Sequence, residues 1–423
     1  MSQLLNGQFM IKGLAIAVTT LMVGTAHAAK TEQQQIQELR QEVEALKSLI
    51  QQQQQVQQQQ QTQIAQVQQA KPAAPVSALS SLKSKSGADV SIYGSIRGDA
   101  NYIIDGADDD FNATHKTGTT NVQDKLRATA KVTRLGLDFN TPVGDNKVGG
   151  KVEVDFASGS DNLRIRHAYL TLNNWLFGQT TSNFLSNHAP EMIDFATNIG
   201  GGTTRVPQVR YSQKLAPATQ LFVSAEEGNS SAGTVSTSTP VTYRAPVLTA
   251  KVTQGFADGK GLASARALVE HYKSEAANDD KTGWGAAVGT NYQVAEPLKV
   301  SADVSYVKGN SNYLYGNNSA FVVDGNSIEQ NETIGVQVGA TYKFSPQLRS
   351  TLAYGALFAD DGTDYARLNT GANEKVQQAW INFIYSPVKP VDLGIEYLNG
   401  ERETFAGEKF SDDRVGFMAR YSF

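Results

Sequence analysis

The sequence predicts an all-β fold, a transmembrane antiparallel β-barrel, preceded by an α-helical coiled-coil segment. Three observations carry the prediction. From residue 89 to residue 423 apolar and polar residues alternate with period two. The connections between the alternating runs come in two sizes, short Pro-bearing ones and long polar ones. After the first thirty residues no run is apolar enough to make a membrane helix of about 20 residues.

Residues 1–28 read as a signal peptide. Lys12 supplies the positive start, Gly13 to Val23 the apolar stretch, and Ala26-His27-Ala28 the small residues before a cleavage expected after Ala28. Residues 29–69 follow a heptad. Ile36, Leu39, Val43, Leu46 and Ile50 recur at alternating spacings of three and four, and Ile64 and Val67 rejoin the seam beyond a Gln tract. Glu42 at g and Lys47 at the next e would attract each other across a parallel neighbour. Fully helical, such a segment spans roughly 60 Å. The a/d pattern by itself favours two strands. Residues 70–88 hold two prolines and many small residues, a linker.

The barrel domain, 89–423, alternates most clearly at 333–344. Ile334, Val336, Val338, Ala340, Tyr342 and Phe344 form one face, and Gly335, Gln337, Gly339, Thr341 and Lys343 the other. Val415, Phe417, Ala419, Tyr421 and Phe423 repeat it opposite Arg414, Gly416, Met418 and Arg420. Short connections are expected at Thr141-Pro142, Ala216-Pro217, Ala245-Pro246, Glu296-Pro297, Ser345-Pro346 and Ser386-Pro387. Long ones are expected at 105–124, 228–239, 309–330, 360–374 and 400–411. Outer-membrane barrels have short turns on one side and long loops on the other. About seventeen segments can be marked as strands. An even number is required when both termini share a side, so one segment within 241–282 is misassigned, and sixteen or eighteen strands would restore parity.

Composition narrows the function. A mean hydropathy of −0.35 fits a barrel whose strands are wet on one face. With no cysteine, disulfides, thiolate chemistry and Cys-ligated metals are excluded. A net charge of −4 without a basic half argues against nucleic acid as a partner. No nucleophile elbow appears, and His167, His188 and His271 lack metal-ligand spacing. No enzyme activity, cofactor or metal is expected. The acidic runs 108–110 and 360–364 read as solvated loops, and Trp175, Trp284 and Trp380 as girdle or packing residues.

Selectivity in a channel follows from charge at its narrowest point. The candidate pore-lining residues are Arg97, Arg134, Lys151, Arg164, Arg166, Arg205 and Arg210. Arg164 and Arg166 are two apart and share a strand face. A midplane arginine facing lipid costs about 2–4 kcal/mol, so that face should be wet. The segment 183–205 is the candidate constriction loop. It carries Glu191 and Asp194 as an opposing acidic wall and Ile199-Gly200-Gly201-Gly202 as a flexible bend. Two roles are open for the basic residues: a ladder that draws small anions inward, or structural pairing with Asp99, Glu153 and Asp155.

Four fragments resemble general porins: Thr133-Arg134-Leu135-Gly136-Leu137, the run from Leu163 to Leu172, Phe177-Gly178-Gln179-Thr180, and the terminal Phe423 after Tyr421. Together with the signal peptide and Gln-rich coil they resemble the DcaP-like porins. The resemblance implies sixteen strands, a trimer and a preference for dicarboxylic acids. It gives the expectation of an outer-membrane diffusion channel for small anionic solutes, homo-oligomeric and surrounded by outer-membrane lipid, with its coil in the periplasm. The alternatives are a general or cation-preferring porin, or a barrel that anchors a periplasmic tether.

Overall fold

The computed structural model describes residues 82–423 apart from 86, 159–161, 203, 229–240 and 311. The expected signal peptide and coiled coil lie outside the described residues. Within the expected linker, Leu82–Lys83 form a short strand paired with the start of the barrel.

Sixteen antiparallel strands close into a cylinder. They are β1 (Asp89–Ala107), β2 (Asn121–Thr129 continued by Arg134–Val143), β3 (Asn146–Asp155), β4 (Arg164–Leu172), β5 (Trp175–Thr181), β6 (Arg205–Ala216), β7 (Thr219–Glu226) and β8 (Val241–Tyr243 continued by Val247–Phe256). Then come β9 (Gly261–Ser274), β10 (Asp279–Ala295), β11 (Leu298–Lys308), β12 (Glu332–Lys343), β13 (Leu348–Ala359), β14 (Asn373–Tyr385), β15 (Val391–Thr404) and β16 (Lys409–Ser422). Closure is the β1–β16 ladder, which runs from Ser95↔Ser422 to Asp105↔Asp413. Phe423 extends it through two backbone bonds with Gly94, of 2.9 and 3.1 Å.

The odd strand count has a physical origin. Both pieces of β8 pair along the same edge of β9. Ala245-Pro246 is therefore a break within one strand, not a turn between two. Proline has no N–H to give the ladder and interrupts it there. The two pieces of β2 likewise pair with one strand, β1. Two other expectations are corrected. Thr141-Pro142 lies inside β2, and the turn is Gly144-Asp145. The expected long loop 400–411 is mostly paired strand, with Gly400 opposite Asp412, and only residues 405–408 connect. Polar composition cannot separate a loop from a hairpin that projects into water, because both faces of such a hairpin are wet.

Burial is inverted relative to a soluble protein. On β12, Ile334 and Val338 are 45% and 47% exposed, whereas Thr333 and Gln337 are buried. On β16, Phe417 and Tyr421 are exposed and Arg414 is buried. The apolar face looks outward, as lipid requires, and the polar face lines the interior. Trp175 and Tyr421 lie exposed near the short-turn rim and Trp284 near the long-loop rim, the positions of interfacial girdles. Trp380 is buried inside, where its indole N–H donates to the Glu191 carbonyl at 3.1 Å.

The interior is partly filled. Loop L6 (309–331) was expected as an outer polar loop, yet Tyr313 and Leu314 pack with Phe184, Leu185 and Ile199 of the loop after β5 in a buried apolar cluster. Loop L1 (108–120) adds Phe111, which packs against Val132 and Ala196.

Candidate functional site

The loop between β5 and β6 (L3, 182–204) is drawn across the lumen by polar anchors on the far wall. The Asn183 amide donates to Ser224 of β7 at 2.8 Å. Ser186 donates to Asp303 of β11 at 2.7 Å, and the His188 ring bonds Ser264 of β9 at 2.8 Å. Arg349 of β13 grips the Glu191 carboxylate at 2.8–3.0 Å. The backbone N–H of Ile193 donates to Glu396 of β15 at 2.9 Å. Gln337 of β12 donates to the Asn198 side chain and the Ile199 carbonyl at 2.9 and 3.0 Å. Gly200 (φ +82°) lies so close to β12 that an added Cβ would stand 2.2 Å from the Val336 carbonyl oxygen. The glycine run expected as a flexible bend therefore serves close backbone approach.

This leaves the opposite wall free to face the loop. Arg97 of β1, Arg134 of β2, Arg164 and Arg166 of β4, Arg205 of β6 and Arg420 of β16 line a cavity of about 130 Å³. Ser95 and Val132 complete the wall, and Phe195 comes from L3. A β-bulge opposite Glu153/Val154 places Arg166 as an extra residue on the inner side of β4; bulges re-aim side chains in this way. Arg166 bonds Glu153 and Asp155, each at 2.7 Å. Arg164 takes Asp155 bidentately at 2.7 and 2.9 Å. Arg134 stands 3.3 Å from Glu153, Arg97 bonds Asp99 at 2.6 Å, and Arg420 pairs with Asp392. The structural pairing weighed from sequence is thus present: Arg97, Arg134, Arg164, Arg166 and Arg420, five of the six, share the four carboxylates of Asp99, Glu153, Asp155 and Asp392.

Five of the seven sequence candidates meet in this cavity. Lys151 lies on β3, 3.2 Å from Asp138 and over the Tyr93 ring. Arg210 lies on β6, bonded to Gln208 at 3.0 Å and to the Thr181 carbonyl. The expected acidic wall is not one. Asp194 is buried and accepts the backbone N–H groups of Asn112 (2.7 Å) and Ala196 (2.9 Å), tying L3 to L1, and Glu191 is held by Arg349. Sequence reasoning passed over Arg420, although its alternation with Phe417 and Tyr421 already placed it on the polar face. Phe195 carried no signal, because loop packing alone positions it. The acidic run 108–110 lies in L1, where Asp108 and Asp110 bind Lys125, Arg127 and Lys131 at 2.6–2.8 Å. Among the described residues no cluster of His, Asp and Glu could hold a metal.

Burial pushes the Asp194 carboxyl up to about 6, against the pull of its two backbone donors and of Arg414 and Arg97. Unfolded, the group titrates near 3.8, so the folded loop binds the proton more tightly. The stabilisation this gives is complete below the unfolded value and is lost as pH rises through the folded one. We expect hydrogen exchange in L3, corrected for intrinsic rates, to be slower at about pH 4.5 than at about pH 7.5. Asp194→Asn should flatten the difference.

A sixteen-stranded barrel with an inward third loop and a charged opening defines an outer-membrane porin. The comparisons with known proteins agree. Residues 21–423 match the family described as DcaP outer membrane protein, and the chain belongs to that family. The crystal structure of the outer membrane channel DcaP of Acinetobacter baumannii is 69% identical, with a TM-score of 0.79, over 82% of this chain and 100% of that one. The anion-selective porin from Comamonas acidovorans (12% identity, TM-score 0.53, 79% of this chain and 100% of that one) shares the fold. So does OmpT of Vibrio cholerae in its loop-deleted form (14%, 0.54, 79% and 99%). No curated protein matches. The protein is an outer-membrane channel.

Proposed function

We propose that the channel passes small anionic solutes, with dicarboxylates preferred, and that Arg97, Arg134, Lys151, Arg164, Arg166, Arg205 and Arg210 steer them. The observation that carries this reading is the convergence of six arginines on one small cavity beside L3, where Arg97, Arg134, Arg164, Arg166 and Arg420 share four carboxylates. A guanidinium takes a carboxylate bidentately, and a narrow low-dielectric passage focuses the field of the excess charge. The Comamonas acidovorans porin, which shares the fold, is anion-selective, and the reading is compatible with that. A homotrimer is the assembly this reading expects. A trimer form is described for Vibrio OmpT, and the coil of residues 29–69 would project into the periplasm after cleavage of residues 1–28.

The test is liposome swelling with succinate, a neutral sugar and a diamine of similar size, together with the reversal potential under a KCl gradient. Succinate is expected to enter fastest and the potential to report anion preference. Faster entry of the diamine with a cation-selective potential overturns the reading.

A further inference from the structure

A second group of cations lies apart from the six-arginine opening, under the root of L3. Lys251 of β8 is 8% exposed, and among the described residues its ammonium has no hydrogen bond and no ion pair. Its one close partner is the Phe222 ring of β7, 5.2 Å from the ammonium to the ring centre. Its charged neighbours are Arg210, Arg266 and Glu226. Two of these are already engaged. Arg266, directly across the ladder from Lys251, is bound to Asp303 at 2.6 and 2.7 Å. Glu226 accepts from Ser224, Thr249, Tyr313 and the Asn183 N–H at 2.6–3.1 Å. Arg210 hydrogen-bonds the neutral Gln208 and Thr181 carbonyl and, like Lys251, feels the Glu226 charge.

The register brings the three groups to one inner surface. Lys251 is opposite Phe222, and Arg210 is opposite Ser224, two residues along β7 on the same face. Two cations therefore lie beside an aromatic floor with one carboxylate, Glu226, acting on both of them. Two cations against one carboxylate leave one buried charge uncompensated, which is costly, and an anion placed between these two removes that cost. Its shape is constrained. Arg210 offers parallel donors, Lys251 a point charge, and Phe222 a surface for hydrocarbon. We propose that Arg210, Lys251 and the Phe222 ring form a carboxylate-binding subsite for small organic carboxylates, separate from the six-arginine opening. The proposal rests on the anionic-solute reading and gives it a second resting place, offset toward β6–β9. Multiple moderate sites let a solute enter and still leave.

The experiment is calorimetric titration of the purified full chain in detergent with succinate, alongside the reversal potential of the same preparations. Saturable binding is expected for the wild type. Lys251→Met and, independently, Arg210→Gln should each weaken it about tenfold or more, with Lys251→Arg close to wild type. Unchanged succinate affinity in folded Lys251→Met and Arg210→Gln overturns the subsite. So does absence of saturable binding in a wild type that is anion-selective, which leaves the channel reading intact. A cation-selective wild type overturns the channel reading and the subsite with it.

Discussion

Arg166→Ala is expected to weaken anion preference sharply and to loosen the wall of the opening. Arg166 sits on the bulge of β4 and bonds both Glu153 and Asp155. Its removal subtracts one of six guanidiniums and leaves all four partner carboxylates in place. A unit charge about 6 Å from a passing ion acts with about 0.7 kcal/mol in a water-like dielectric and about 3 kcal/mol at an effective value of 20. The anion-to-cation permeability ratio should therefore fall by at least about threefold, more at low salt, where screening is weaker. Stability should fall by about 1–3 kcal/mol, since a buried charged group loses one partner. Glu153 keeps Tyr93 and Arg134, and Asp155 keeps Arg164, which limits the loss. The reversal potential of the variant at low and high salt measures the first effect, and its urea midpoint in detergent the second. A potential identical to wild type at low salt would mean that the arginines only brace the wall.

Gly200→Val should enlarge the channel. Gly200 holds φ +82°, and a Cβ there would meet the Val336 carbonyl oxygen at 2.2 Å and the Ala356 carbonyl oxygen at 2.8 Å. Both oxygens are barrel backbone and cannot yield, so the loop must. Left-handed backbone costs an L-residue about 1–2 kcal/mol, and a β-branched side chain is the least tolerant of it. With Gly200 displaced, the bonds from Gln337 to Asn198 and Ile199 are lost and the Phe184–Ile199–Tyr313 packing opens. Single-channel conductance should rise and discrimination between succinate and a neutral sugar should shrink. The strands themselves should remain, because their ladders do not involve the loop. Unchanged conductance would show that L3 does not bound the pore at this point.

The two variants separate what each wall contributes. On the proposed reading the arginine side sets the sign of the solute and acts through charge. On the same reading the loop side sets the width of the opening and acts through packing. The Asp194 dependence belongs to the second group, since its carboxyl ties L3 to L1 rather than facing solute.

The barrel was legible in the chain because lipid outside and water inside write a period-two pattern into each strand, and that pattern depends only on neighbours two residues away. The same rule placed Arg164, Arg166 and Arg420 on the wet face, although Arg420 was not singled out as a site residue. The count went astray at Ala245-Pro246 because proline marks both turns and broken strands, and only the shared edge of β9 separates them. Tertiary structure alone decided the opening. That L3 lies against β7 to β15, that L6 fills the mouth beside it, that Asp194 turns to backbone amides and that Phe195 meets the arginines all depend on contacts between residues far apart in sequence. Alternation fixes the face on which a side chain lies; which faces confront one another across the lumen depends on a loop whose path is set by hydrogen bonds and packing with strands as much as two hundred residues away.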